Sequence, residues 1–176
     1  MERRTLCQAL SLAGLGGWSA ARATALADPA VWAPLGGAVD HSDVVVTVPS
    51  MDVGPSNQTV VAYLAESLRD DGRVVTHLFV KRWTGQRWEP LGDALNASLD
   101  CAAHSPSLKV NLQDQAVVAW CEADDAAASS LSVRVKRWNG SSWDLLGDTL
   151  NSVVGEAAVQ PSLALLPGGF PVVALV

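Results

Sequence analysis

Along residues 107–146 the apolar positions fall into short runs separated by turn-forming residues. Val117-Val118-Ala119-Trp120 is apolar on both faces, as a strand covered on both sides must be. Leu131-Ser-Val-Arg-Val-Lys-Arg-Trp138 alternates, as a strand with one wetter face does. With Ser107 to Leu112 before them and Ser142 to Leu146 after, the pattern predicts four strands: Ser107 to Leu112, Ala116 to Glu122, Leu131 to Trp138 and Ser142 to Leu146. Turn chemistry joins them. Gln113-Asp114-Gln115 and Pro167-Gly168-Gly169 close the first hairpin, and Asn139-Gly140 and Thr84-Gly85 close the last one, where Asn-Gly supplies positive φ. No helix fits this scheme.

The pattern recurs. Val80-Lys-Arg-Trp-Thr-Gly-Gln-Arg-Trp-Glu-Pro-Leu-Gly-Asp-Ala-Leu-Asn96 returns 55 residues later as Val135-Lys-Arg-Trp-Asn-Gly-Ser-Ser-Trp-Asp-Leu-Leu-Gly-Asp-Thr-Leu-Asn151. Trp32-Ala-Pro-Leu35-Gly36 is a partial third copy, 56 residues ahead of Trp88-Glu-Pro-Leu91-Gly92. Between these come Pro49-Ser50-Met51 with Val60-Val61-Ala62-Tyr63, Pro106-Ser107-Leu108 with Val117-Val118-Ala119-Trp120, and Pro161-Ser162-Leu163 with Val172-Val173-Ala174-Leu175. A period near 55 with four strands per unit matches a β-propeller blade, and a β-sandwich does not repeat itself in this way.

These motifs resemble a family of large bacterial β-propeller repeat proteins that carry a Trp-x-Gly-x-x-Trp-x-x-Leu-Gly element followed by Pro-Ser-Leu and Val-Val-Ala-Trp strands, related in architecture to kelch and tectonin-like propellers. The resemblance covers Asp28 to Val176 and implies an all-β partial propeller of about three four-stranded blades. Its parts are an outer strand over 28–40, blades over 41–96 and 97–151, and an incomplete blade over 152–176. It implies little about function, because propellers host lectins, scaffolds and enzymes alike. The kelch double glycine and the sialidase Asp-box are both missing. Closed propellers have four to eight blades. The expectation is therefore either a fragment of a longer propeller or closure in trans by self-association through the open blade faces.

Ahead of the repeats, Arg3-Arg4, a mildly apolar run from Leu6 to Trp18 and the small-x-small sites Ala23-Thr24-Ala25 and Ala25-Leu26-Ala27 read as a signal peptide over 1–27, with a twin-arginine flavour. The run is too short and Gly-rich for a membrane span, so no anchor is expected after processing. Export to the periplasm or the outside leaves Cys101 and Cys121 in an oxidising compartment, where a single bridge is one outcome. The predicted hairpin instead sets Cys121 near Pro106, so a bridge requires the preceding segment to fold back.

Composition narrows the function classes. A net charge of −6, with basic pairs after Arg3-Arg4 only at Lys81-Arg82 and Lys136-Arg137, argues against a nucleic-acid stripe, and both later pairs read as solvated strand positions. His41, His77 and His104 occupy non-equivalent places in the repeat, with His77 read as a surface residue, and neither a triad nor a metal spacing follows. Asp93 and Asp148 read as turn formers rather than calcium ligands. Asn57, Asn96 and Asn139 open sequons but sit where turns want them. Seven of ten aromatic residues are Trp. Trp120 reads as core, whereas Trp83, Trp88, Trp138 and Trp143 flank turns and either pack between blades or offer indoles on which a sugar stacks. The loops Glu66 to Gly72 and Glu122 to Ser130 differ between copies and form a second candidate surface. The expectation is an exported, non-catalytic binding or scaffolding propeller segment, with a glycan or protein ligand, no cofactor and no metal. The alternative is the non-catalytic fragment of an exported propeller hydrolase such as a glycosidase.

Overall fold

The structure, a computed structural model, describes residues 33–40, 44–128, 130–150 and 159–175. The chain divides into two units, Met1–Pro34 and Leu35–Val176, and the strands of the described residues lie in the second. The signal peptide expected over 1–27 lies outside the described residues. Among those residues all regular structure is β, and no helix is long and apolar enough to cross a membrane.

The first sheet is an antiparallel meander of β1 (Val46–Val53), β2 (Thr59–Leu68), β3 (Val74–Trp83) and β4 (Trp88–Pro90). The second repeats it with β5 (Ala103–Val110), β6 (Ala116–Ala123), β7 (Leu131–Trp138) and β8 (Trp143–Leu145). A third, two-stranded sheet holds β9 (Ser162–Leu165) and β10 (Pro171–Ala174). The registers also match. Ala62 faces Val80 as Ala119 faces Val135, and Trp83 faces Trp88 as Trp138 faces Trp143. The expected strand over 28–40 is not formed in its described part, where residues 33–40 run as bends: Pro34 has no N–H to give, and Gly36 takes a φ of +71°.

One backbone feature marks each unit. Val48, Ser105 and Gln160 have φ of 48°, 48° and 50°, and each precedes a proline. In β1 the ladder jumps from Thr47 opposite Leu64 to Ser50 opposite Ala62, so Val48 and Pro49 together face Tyr63. In β5 Ser105 and Pro106 likewise face Trp120. The bulge absorbs a proline that has no donor for the ladder, and it explains why β5 begins at Ala103, ahead of the proline, rather than at Ser107.

Beyond the bulge, successive first strands are tied together. Ser50 Oγ accepts the Leu108 N–H at 2.9 Å, and Ser107 Oγ accepts the Leu163 N–H at 3.0 Å. Asp52 Oδ2 adds a bond from the Val110 N–H at 2.9 Å. Between the first two sheets lies one core, to which Val60, Ala62, Leu64, Leu78 and Val80 contribute from one side and Leu108, Val118, Trp120 and Trp138 from the other. The opposite face of β6 presents Val117 and Ala119 to Leu163 of β9. All eight residues of β6 are buried, as its two-sided apolar pattern requires. Ala62 and Ala119 have matching, fully buried environments, while Ala174 is exposed. Because the Leu163 amide is buried with its residue, Ser107→Ala should strand a donor and cost about 1–3 kcal/mol in urea denaturation. A loss under about 0.5 kcal/mol would show that the serine ties contribute nothing.

Several expectations are corrected. Cys101 and Cys121 are free, buried thiols. Cys121 lies opposite His104. Three residues of strand, about 10 Å, therefore separate it from the level of Cys101, beyond the reach of a disulfide. Lys81 and Lys136 are not merely solvated, since their ammonium groups donate to the Val39 and Leu95 carbonyls at 2.6 and 2.8 Å, tying each sheet to the segment ahead of it. His77 is buried rather than on the surface.

Candidate functional site

Each complete sheet ends in a pair of indoles facing across its last hairpin. The ring centroids of Trp83 and Trp88 are 5.4 Å apart with planes at 58°, and those of Trp138 and Trp143 are 5.5 Å apart at 59°. The surroundings of the two pairs differ. Trp138 is buried in the core between the sheets, the Trp143 indole N–H donates to the Leu91 carbonyl at 2.5 Å, and Gly92 lies against both rings. That pair is packed and its donor is satisfied.

The first pair stands beside an open cavity of about 290 Å³ lined by Gly37, Ala38, Val39, Lys81, Trp83, Gln86, Arg87 and Trp88. Both indoles are half-buried. The Trp88 Nε1 atom is buried and has no hydrogen-bond partner among the described residues, although the repeat assigns Leu35 the place that Leu91 holds beside Trp143. A buried N–H left unpaired costs about 1–3 kcal/mol, so a turn of the ring that brings it to an acceptor is favoured. Lys81 sits over the Tyr63 ring at 5.5 Å, and Arg87 is paired with Glu89 at 2.7 Å, so Gln86 brings an uncharged amide to the rim. Burial, and then a hydrogen bond with Asp40, push the Tyr63 hydroxyl far above its ordinary range, so it stays protonated. The wall thus joins two indoles to the Gln86 amide and the cations Lys81 and Arg87, a lining that suits hydroxyl-rich ligands.

Of the four Trp residues singled out in the sequence, the structure brings Trp83 and Trp88 to a cavity and packs Trp138 and Trp143 into the sheet contact. Arg73, just after the first variable loop, donates to the Ala126 carbonyl of the second at 3.2 Å, beside a cavity of about 260 Å³. Hydrogen bonds from Ser130 and then Ser132 hold the Asp124 carboxyl below the usual range.

Other candidates resolve into structure. Asn96 is buried, accepting the Leu78 N–H and donating to the Cys101 and Thr76 carbonyls. Asn139 caps its hairpin through the Ser141 and Ser142 amides. Asp93 and Asp148 are exposed. Ser67 Oγ lies 3.2 Å from His77 Nδ1 while His77 Nε2 lies 3.0 Å from the Leu99 carbonyl, an arrangement that pins the 97–101 loop to β3. His104 is exposed and His41 lies outside the described residues, among which no three His, Cys, Asp or Glu residues gather.

Sequence reasoning missed Glu122. This carboxylate is 1% exposed, and its Oε1 accepts the Ala97 and Ser98 amides at 2.7 and 3.1 Å. Its Oε2 accepts the Trp120 indole N–H at 2.9 Å and lies 3.7 Å from Arg134 Nε. Ala65 holds the equivalent place in the first copy, and that break in the repeat was the available signal. Near it, burial pushes the Lys136 ammonium below its ordinary range while Glu122 opposes the shift.

Neither a protein-family model nor a curated protein matches the chain. Among solved structures it is similar to one described as a new family of polysaccharide lyase, the PL25 ulvan lyase, with 16% identity and a TM-score of 0.50. The match covers 69% of this chain and 34% of the lyase, so this chain spans about a third of that protein's length. A likeness at this identity concerns the fold alone.

Proposed function

We propose that this chain is a segment of an exported β-propeller that binds saccharide without cleaving it, at the cavity beside Trp83 and Trp88. The observation that carries the reading is that one of two indole pairs of the same geometry, Trp83 and Trp88, lines a cavity, with the Trp88 N–H buried and unpaired among the described residues. Four-stranded antiparallel units whose first strands tie to one another support the propeller, and the basic, mildly apolar N-terminus with its small-residue sites supports export. A sugar stacks its apolar face on Trp83 and, as the Trp88 ring turns toward the cavity, presents a hydroxyl oxygen to its N–H.

The test is calorimetric titration of the chain with soluble polysaccharides, ulvan and a neutral glucan among them. Trp88→Phe keeps a ring and removes the donor, and it should weaken binding about tenfold, the value of one hydrogen bond of about 1.4 kcal/mol. Trp143→Phe should leave the affinity unchanged. Equal losses in both variants, or no binding to any polysaccharide, would contradict the proposal.

A second reading is favoured by the polysaccharide lyase neighbour: the chain is the non-catalytic part of a larger exported propeller enzyme that cleaves glycans. Unsaturated sugar ends appearing when the chain alone is incubated with ulvan would contradict both readings, because each makes this chain non-catalytic.

A further inference from the structure

The last hairpins of the two complete sheets share one framework and differ in what they project. Trp83 to Trp88 aligns with Trp138 to Trp143, so Gln86 and Arg87 stand where the second copy has Ser141 and Ser142. In the second hairpin the turn uses its own polar groups: Asn139 Nδ2 donates to Ser142 Oγ and Asp144 Oδ1, each at 2.9 Å, and Asn139 Oδ1 accepts the Ser141 and Ser142 amides. In the first, the Thr84 hydroxyl closes the turn on the Arg87 backbone, accepting its N–H at 3.3 Å and donating to its carbonyl at 3.0 Å. The Arg87 side chain is left to project and is 77% exposed. Glu89 holds it through one oxygen, Oε1, which accepts from Nε at 3.0 Å and Nη2 at 2.7 Å. A guanidinium has N–H donors beyond those two, in a planar fork that matches a carboxylate or a sulfate. Lys81 joins Arg87 in the cavity wall, its ammonium fixed by the Val39 carbonyl at 2.6 Å and lying 4.0 Å from Asp40. The cavity is built within the chain, from residues 37–39 and the β3–β4 hairpin, and among the described residues its lining holds two cations and no carboxylate. That sign is opposite to the net charge of −6. We infer that the saccharide bound beside Trp83 and Trp88 is acidic, with a carboxylate or sulfate ester that meets Arg87 and Lys81 while a sugar ring stacks on Trp83; this rests on the saccharide reading above.

Three probes on one backbone test it: cellohexaose, its C6-oxidised form bearing carboxylates, and its 6-O-sulfated form. Calorimetric titration of the full chain should show at least one acidic form binding about fivefold more tightly than cellohexaose, as a partly wet charged contact gives, and the tighter of the two identifies the anion. Arg87→Gln should weaken the acidic probes about fivefold more than the neutral one. Glu89→Gln keeps Arg87 and removes the carboxylate that competes for it, so it should tighten the acidic probes about threefold relative to the neutral one. Should Arg87→Gln fail to fold, Glu89→Gln supplies the decision. Acidic forms that bind no more tightly than cellohexaose, or variants whose changes fall equally on all three probes, would overturn the inference, while a loss of affinity in Trp88→Phe would still uphold the saccharide reading. An acidic preference that Arg87→Gln abolishes but Trp88→Phe leaves untouched, with no saccharide sensitive to Trp88, would overturn both by placing the anion away from the indoles.

Discussion

Replacing Glu122 with Ala is expected to cost about 3–5 kcal/mol of stability, the range for breaking a buried, hydrogen-bonded charge. Three donors lose their acceptor together: the Ala97 and Ser98 amides and the Trp120 indole. Arg134, which approaches the carboxylate at 3.7 Å, also loses its counter-charge. Glu122→Gln should cost less, because one amide oxygen still serves the two backbone donors while its NH2 faces the Trp120 N–H. Urea midpoints at unchanged slope measure both losses, and a cost under about 1 kcal/mol for the alanine variant would mean that the 97–98 loop is held by something else.

Trp138→Ala is expected to cost about 3–5 kcal/mol, as truncation of a core indole does. Its ring is 8% exposed and packs between the sheets with Trp143 and Gly92. Trp83→Ala, at the same repeat position but beside a cavity, should cost about half as much, since less surrounding structure is left unsupported. The comparison separates the two roles of one repeated residue. Equal losses would place both indoles in core, and a loss below about 1 kcal/mol for Trp138 would make it a ligand surface instead.

Much of the fold was legible because strand periodicity and turn residues are local. Val117 to Trp120 read as doubly covered and are buried throughout, and Asn139-Gly140 turns where it should, with Gly140 at a φ of +109°. What escaped was the non-local chemistry. That Pro106 would be carried inside β5 depends on a left-handed Ser105, a conformation that no residue type announces. His77 alternates with Leu78 and so read as wet, but the 97–101 loop covers it through the Leu99 carbonyl. The four Trp residues were legible as a set and not as a hierarchy. Whether an indole N–H is satisfied depends on a carbonyl some 50 residues away, as for Trp143 and Leu91.

The central claim, that the Trp88 donor awaits a saccharide oxygen, is tested most directly by nuclear magnetic resonance of the indole N–H groups, assigned by single Trp→Phe substitutions and followed during titration with ulvan oligosaccharides and neutral glucan oligosaccharides. The Trp88 resonance should move downfield as its N–H gains an acceptor, with Trp83 responding to ring stacking, while Trp143 stays in place because Leu91 already holds it. A Trp88 resonance that remains fixed while Trp138 or Trp143 shifts, or indole signals unmoved by every saccharide, would contradict the account.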